Sequence, residues 1–313
     1  MAVYVTEQQT DLSLDLQYDN EGDVVGDASL FGTLVTASPT YLHIGRNRRW
    51  VYRDTPAAVP IQEIDDANRT SFKKIQNSGS LTIDFDLTDG LYDGDLDWFV
   101  TPNKTDFNSR TFLFSRNSGT EYYTVLKGCV PTRTTITFPE DNSPIHVSAE
   151  IAVTNPVDET TTDGLTTPVR AVPITADLIC PSDAGLDPFL HNAIGYKTRG
   201  MTITIEMAYA MVDADDNTST QLMIPSRATI SGTVNIFKKT GADAIRTDIF
   251  ARTVRTMSRI LTPFVGPPNG SRLDFTAVDI EENEENNADI RTESTVKSYN
   301  FTAGTLVLAE ITS

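Results

Sequence analysis

Apolar and polar positions alternate with a period of two residues through most of the chain. In residues 80–87, SLTIDFDL, four apolar side chains fall on one face and Thr82, Asp84 and Asp86 on the other. Such alternation is typical of a half-buried strand. The same pattern recurs in residues 134–138, 145–153, 201–209, 230–237 and 298–311. Helical periodicity is confined to residues 94–100 and 242–255, so the sequence predicts a mainly β protein with one short α-helix in each half.

A change of composition divides the chain into halves of similar length. Residues 155–173 are rich in Thr, Pro and Asp and lack strand alternation, which indicates an extended linker. We predict a first β domain with an N-terminal arm over residues 1–156, a linker over 157–173 and a second β domain over 174–313.

The two halves repeat one order of elements. Strands at 80–87 and 230–237 each lead through a polar, glycine-containing turn into a short helix that ends in an aromatic residue. In each half an apolar strand, a polar connecting segment and a closing strand follow the helix. Before the strand at 80–87 or 230–237, each half has two strands joined by a long polar segment. This repetition predicts an internal duplication of two similar domains.

Residues 89–99, DGLYDGDLDWF, hold four aspartates and raise the question of a metal site. A calcium loop of the helix–loop–helix type needs glycine at position six and glutamate at position twelve. Counted from Asp93, these positions are Trp98 and Lys104, and a second acidic segment beginning at Asp213 fails in the same way. Carboxylates in the first helical turn are favoured by the helix dipole. We therefore predict a repeated structural helix, with no metal and no cofactor.

The charge and the motifs argue against several classes of protein. A formal net charge of -18 opposes a general DNA-coating role, which needs a basic footprint. No secretory signal and no apolar run of about 20 residues is visible, so we expect no membrane insertion. No hydrolase, zinc-protease, CxxC or nucleotide-binding motif occurs. A carbohydrate-active enzyme would need an aromatic-lined cleft, but Trp50 and Trp98 lie at unrelated places in the pattern, and we predict no enzymatic activity.

Two charged clusters are candidates for contacts between copies of the chain. The basic cluster RNRRW could bind nucleic acid, or an acidic patch on a neighbouring copy, since Arg and Trp are favoured at interfaces. The acidic run EENEENN is either a solvated loop tip or a surface that faces a basic partner. The candidate inter-subunit and ring-stacking residues are Arg46, Arg48, Arg49, Trp50, Asp213, Asp215, Asp216, Glu281, Glu282, Glu284 and Glu285.

The repeated unit resembles the tail tube proteins of long-tailed viruses of bacteria and archaea. The resemblance rests on the alternating strands, the long polar loop between early strands, the short helix (DGDLDWF and ADAIRTDIF) and the closing antiparallel strands. It spans residues 41–309. The ending LDFTAVDIEENEENNADIRTESTVKSYNFTA is similar to the last two strands of that family.

The resemblance implies a fold and an assembly. Each domain would be a β-sandwich or a partly closed barrel with a flanking helix, and neighbouring domains would join their sheets edge to edge. A duplicated chain would form trimeric, pseudo-sixfold rings, with a hexameric ring as the alternative. The rings would stack through the long loops 45–78 and 212–226 and the N-terminal arm.

The resemblance also implies a function. The chain would be a structural virion protein of the viral tail, made and assembled in the host cytoplasm, whose acidic channel passes DNA without sequence recognition. The lumen candidates are Thr82, Asp84, Asp86 and Asn235. Expected partners are the tape measure, tail terminator and distal tail proteins. A distal tail, baseplate or capsid-decorating protein is the alternative, and a secreted adhesin is opposed by the missing signal.

Overall fold

The structure is a computed structural model. It describes residues 16–23, 42–43, 46–61, 71–88, 96–100, 108–117, 121–157, 178–181, 188–213, 220–237, 244–262, 270–282 and 296–311. The elements of the first half are β1 (Leu16–Asp23), β2 (Leu42–His43), β3 (Arg46–Ile61), β4 (Ser71–Asp86), α1 (Asp97–Val100), β5 (Asn108–Asn117), β6 (Glu121–Phe138) and β7 (His146–Val157). Those of the second half are β8 (Phe189–His191), β9 (Ile194–Tyr196), β10 (Thr198–Asp213), β11 (Thr220–Phe237), α2 (Ala244–Ala251), β12 (Arg255–Thr262), β13 (Gly270–Glu282), β14 (Val296–Ala303) and β15 (Thr305–Ile311).

The prediction of a mainly β protein is confirmed. All the strands belong to one antiparallel network, and the two helices are short. The network is not closed, because its path of strands ends at β2 on one side and at β9 on the other.

Eight strands lie side by side in the order β3-β4-β7-β6-β10-β11-β14-β13. We call these eight strands the main sheet. The first four strands and the last four are arranged alike. In each set the two strands of a long hairpin come first, β3-β4 or β10-β11. The closing strand is next, β7 or β14, and the strand that precedes it in sequence is last, β6 or β13. The network branches at β6 and β13, whose N-terminal parts also pair with β5 and β12.

The irregularities of the ladders repeat as well. The β3–β4 ladder shifts register after Asn47 and again after Ala57. The β10–β11 ladder shifts after Thr198 and after Ala208, in each case 151 residues later. Bulges bend a strand and increase its twist, so the two hairpins are shaped alike as well as ordered alike.

A left-handed residue marks the bend at each branch. Gly128 in β6 has φ 63° and Ala277 in β13 has φ 50°. Opposite Ala277, the Gly304 N–H donates to the Thr276 carbonyl, and the chain turns from β14 into β15. The single strand predicted over 298–311 is therefore wrong, because β14 pairs with the end of β13 and β15 with its beginning.

The apolar face of the main sheet is the core. Its buried side chains include Leu81, Ile83, Phe85, Ala149, Ile151, Ile136, Phe138, Ile203, Ile205, Val234, Tyr299 and Phe301. Trp98, Phe99 and Val100 of α1 are buried, as is Ile245 of α2. Alternation along each strand thus puts one face of the sheet against the helices and the branch strands.

Three expected boundaries are corrected by the strand ladders. The segments expected as long loops, 45–78 and 212–226, lie mostly in the hairpins β3–β4 and β10–β11, because paired strands satisfy each other's backbone groups without needing apolar side chains. The helix expected over 242–255 ends at Ala251, since Arg252 adopts φ 50°. Strand β7 runs to Val157, the first residue of the predicted linker, and the other residues of that linker lie outside the described part.

Candidate assembly interface

The two halves meet strand to strand. Residues Arg133–Phe138 of β6 pair with Met201–Glu206 of β10 without a register shift. Both segments alternate, so Ile136 and Phe138 are buried in the core together with the apolar side chains of β10. We call this pairing the internal joint. In this joint, β10 occupies the edge of β6 that continues C-terminal to the part paired with β5.

Ion pairs flank the internal joint on its polar side. The Nε of Arg133 lies 3.7 Å from Oε1 of Glu206, and the Nε of Arg199 lies 3.0 Å from Oε2 of Glu140. The other carboxylate oxygen of Glu140 accepts from the Asn235 side-chain amide at 3.1 Å. These side chains are about half exposed, and exposed ion pairs contribute at most about 1 kcal/mol. The pairs therefore select register and partner more than they stabilise the fold.

A buried arginine closes the apolar side of the internal joint. The guanidinium of Arg259, on β12 of the second half, lies 4.6 Å from the ring centre of Phe138 in the first half. Its Nη1 donates to Oγ1 of Thr198 at 2.9 Å. Burial lowers the pKa of Arg259 to about 10, so the group is still a cation at neutral pH. A desolvated cation over an aromatic face is worth about 2 kcal/mol.

Tyr209 fixes the other end of the internal joint. Its hydroxyl donates to the Pro131 carbonyl at 2.7 Å, which links β10 to β6 beyond the last paired residues. Burial raises the pKa of Tyr209, so the hydroxyl stays a donor at any ordinary pH.

Polar side chains cross the main sheet in rows on the face opposite the core, which we call the polar face. The first row, from β3 to β13, is Arg49, Asp84, Ser148, Thr135, Thr204, Ser231, Thr302 and Asp279. The next row is Asp86, His146, Thr137, Thr202, Thr233, Asn300 and Glu281, and Asp86 pairs in register with position 46 of β3. Each row therefore continues in register across the internal joint, and the short hydroxyl side chains make this face polar.

All four predicted lumen residues belong to the polar face. Thr82 and Asp84 are half-buried, and Oδ1 of Asp84 lies 4.0 Å from Nε2 of His146. Asp86 is buried, with its Oδ1 3.3 Å from Nδ1 of the same histidine. Asn235 holds Glu140 at the internal joint. Whether this face lines a channel stays a prediction.

The predicted inter-subunit residues that the structure describes fall on the two outermost strands of the main sheet, with one exception. Arg46, Arg48, Arg49 and Trp50 lie on β3, Asp213 ends β10, and Glu281 and Glu282 end β13. The side chains of Arg49 and Glu281 are exposed, while Trp50 is half-buried and packs against the core. Asp215, Asp216, Glu284 and Glu285 lie outside the described residues. Within the described residues, the arginines of β3 and the glutamates of β13 lie on strands at opposite ends of the main sheet.

One buried polar cluster was not predicted. On α2, Asp248 accepts from Nε and Nη2 of Arg255, and its second oxygen lies 2.9 Å from Nε2 of His191. The hydrogen bonds from Arg255, followed by the one from His191, hold the pKa of Asp248 below its usual range. The cluster ties α2 to β8 and β12, so its evident role is to fix the helix.

Neither a protein-family model nor a curated protein matches this chain. Within the described ranges, no group of three or more His, Cys, Asp or Glu side chains could hold a metal ion. No helix in the described part of the chain is long and apolar enough to cross a membrane.

Proposed function

We propose that this chain is a self-assembling structural protein of a virion, the subunit of a tail tube. The observation that carries the proposal is the internal joint, in which β6 of one half lies beside β10 of a like-ordered second half. A wall made of like units joined edge to edge can be continued with further copies, and sheet edges are natural sites for such strand addition.

In this proposal the halves are two tandem domains, each a β-sandwich or partly closed barrel flanked by its helix. The matching bulges 151 residues apart, in the hairpins β3–β4 and β10–β11, support a common origin of the two domains. Three chains would supply six domains to one pseudo-sixfold ring, and a ring of six chains is the alternative. The tape measure, tail terminator and distal tail proteins would be its partners.

The polar face would line the channel. Its rows of Ser, Thr and Asn continue across the internal joint, with carboxylates such as Asp84, Glu150 and Glu206 among them. Together with the formal net charge of -18, these carboxylates would repel the phosphate backbone, so DNA would pass without binding.

The test is negative-stain electron microscopy of the purified chain over a series of protein and salt concentrations. We expect rings or stacked tubes with a central pore, whose rotational symmetry separates the trimer from the hexamer. A chain that stays monomeric at every concentration overturns the proposal. Rings that never stack would favour the alternative of a distal tail, baseplate or capsid-decorating protein.

A further inference from the structure

A cavity of about 380 Å³ lies at one end of the internal joint, where β6 ends at Phe138 and β10 begins at Thr198. Residues of both halves line it. Its apolar walls are Phe138, the exposed Phe237 at the end of β11, and three prolines, one of which is Pro188. A cavity of this size that combines apolar walls with a few polar groups is the usual form of a small-molecule site.

Backbone hydrogen bonds hold the walls of this cavity in place. The Phe237 N–H donates to the Lys197 carbonyl at 3.0 Å, which fixes these two lining residues side by side. The Ile260 N–H donates to the Pro188 carbonyl at 2.9 Å, which keeps the proline next to β12. The shape of the cavity is therefore set by bonded backbone rather than by side chains alone.

A β-bulge places the polar groups of the cavity. The β10–β11 ladder passes from Thr198 to Gly200 and skips Arg199. The Thr198 hydroxyl accepts from the buried Arg259, while the Nε of Arg199 lies 3.0 Å from a carboxylate oxygen of Glu140. Bulges commonly redirect side chains next to functional sites, and this one brings charged groups to the mouth of the cavity.

The lining has a surplus of positive charge, although the whole chain has a formal net charge of -18. Its charged side chains are Lys197, Arg199, Arg259 and Glu140. Glu140 is already bound by Arg199 and by the Asn235 amide. Lys197 and Arg259 have no carboxylate partner within the described part of the chain. A cleft lined by one sign of charge attracts ions of the other sign.

Arg259 carries a buried charge that the described residues do not neutralise. The residue is 1% exposed, and its Nε has no hydrogen-bond partner among them. The Phe138 ring and the Thr198 hydroxyl stabilise the cation, but neither carries a negative charge. Buried cations are ordinarily paired with an anion, because removing an ion from water is costly. An anion in the adjoining cavity would provide that pairing.

We propose that this cavity binds a small organic anion, a carboxylate carried on a flat apolar group. The carboxylate would take Lys197 and Arg259 as its counter-charges, and the apolar group would pack against Phe237 and the prolines. A carboxylate suits the cavity better than a phosphate, because apolar walls disfavour a second negative charge. The inference goes beyond the proposed function and does not depend on it.

The probe is benzoate, which carries one carboxylate on a flat ring, and its neutral isostere benzamide is the comparison. Isothermal titration calorimetry of the full chain at constant ionic strength should show benzoate binding at one site per chain. We expect benzamide and inorganic phosphate each to bind at least about tenfold more weakly, because the first lacks the charge and the second lacks the apolar group. Benzoate should also raise the unfolding temperature, since the cavity exists only in the folded chain.

Lys197→Gln and Phe237→Ala test the two parts of the site. Both side chains are exposed, so either variant should fold as the wild type does. Each should weaken benzoate binding by about fivefold to tenfold. Arg227→Gln is the matched control, because it removes one exposed positive charge from β11 away from the cavity and should bind benzoate like the wild type.

Several results would overturn the inference. Equal binding of benzoate and benzamide, or no saturable binding of benzoate, excludes a carboxylate site. A loss of affinity in Arg227→Gln as large as that in Lys197→Gln would mean attraction by net charge alone.

The chain also holds two carboxylates, Asp183 and Asp187, in residues outside the described part. Benzoate binding that appears only in the Asp183→Asn, Asp187→Asn double variant would mean that the chain's own carboxylates occupy the site, which also overturns the inference. None of these results bears on tube formation, which electron microscopy tests separately.

Discussion

At the scale of single residues, Asp248 makes the stability of the second half depend on pH. Its carboxylate accepts two hydrogen bonds from Arg255 and lies 2.9 Å from Nε2 of His191. These contacts lower its pKa from the ordinary 3.8, so the folded chain binds the proton more weakly than the unfolded chain. The stabilisation is therefore complete above pH 3.8 and is lost as the pH falls towards the lowered pKa of the folded state.

Asp248→Asn is expected to lower the free energy of unfolding by about 2 kcal/mol at pH 7, the usual size for hydrogen bonds to a charged group. The difference from the wild type should shrink as urea titrations are repeated below pH 3.8. Asp274→Asn is the control, because the Asp274–Arg272 pair is part-exposed and should cost less than about 1 kcal/mol. A difference that stays constant down to pH 3 would contradict this account.

Arg259 offers a second test at this scale, because burial of its charge destabilises the fold while the contacts of its planar group stabilise it. Its charge is costly to bury, but its planar guanidinium stacks on Phe138 and reaches Thr198. Lysine keeps the charge and loses the stacking, whereas methionine fills the volume without a charge. We expect Arg259→Lys to destabilise by about 1–3 kcal/mol and Arg259→Met by less. Urea unfolding measures the stability of both variants. A larger loss of stability in Arg259→Met than in Arg259→Lys would show that the charge itself stabilises the joint.

At the scale of elements, the two branch strands hold different residues at the same left-handed bend. β6 has glycine at position 128, while β13 has Ala277 with φ 50°. A residue with a Cβ is destabilised by roughly 1–2 kcal/mol in this conformation. Glycine avoids this strain, but its greater conformational freedom in the unfolded chain offsets part of the gain in stability. Ala277→Gly should therefore raise the free energy of unfolding by about 0.5–1 kcal/mol.

Gly128→Ala is the reciprocal change and should lower the free energy of unfolding by about 1 kcal/mol. Ala210→Gly, exposed in the interior of β10, is the control and should destabilise by a similar amount through chain entropy alone. Thermal unfolding monitored by circular dichroism measures all three. Loss of stability in Ala277→Gly would mean that the bend is held by side-chain contacts rather than tolerated as strain.

The long hairpins show how far a pattern can locate an element. Alternation over 80–87 and 201–209 found the core-facing parts of β4 and β10, because burial of one face imposes a period of two. The outer parts of the hairpins were predicted as loops, since polar runs and Pro56, Pro60 and Pro225 interrupt the alternation there. Backbone pairing needs no apolar residue when a partner strand is present, so the ends of these strands leave no local signal.

The interface residues show the complementary limit. Both strands of the internal joint were predicted as strands, but periodicity does not say which strands pair. Arg259 stands on the buried face between Met257 and Leu261, where the alternation alone would favour an apolar residue. Its burial depends on Phe138, which is 121 residues earlier in the chain. His191 lies beside a turn in which Asn192 and Ala193 both have left-handed φ. Neither residue is a glycine, so the sequence did not predict the turn.

At the scale of the whole molecule, the two kinds of joint differ in what controls them. The internal joint is tethered, so its strands meet at an effective concentration that does not depend on how much protein is present. In the proposed assembly, a joint between chains would depend on protein concentration. That joint would therefore govern assembly, and conditions that change its strength would change the number of subunits without changing the fold.

Salt acts on that joint in two opposing ways. Copies with a formal net charge of -18 repel each other over roughly 30 Å at 0.01 M salt, but over only about 8 Å at 0.15 M. Opposite charges that face each other across a joint between copies would be at contact distance, where screening is weaker. Backbone hydrogen bonds across the contact carry no net charge, so they persist when the ionic contribution is screened.

The assembled fraction should therefore rise from 0.01 M to about 0.15 M salt, as the long-range repulsion is removed first. Near 1 M, where the screening length falls to about 3 Å, it should decline in part because the contact charges are then screened too. Light scattering at fixed protein concentration measures the curve. A steady fall from the lowest salt upward would mean that charge attraction outweighs the net repulsion, and that the joint relies on its ion pairs rather than on strand pairing.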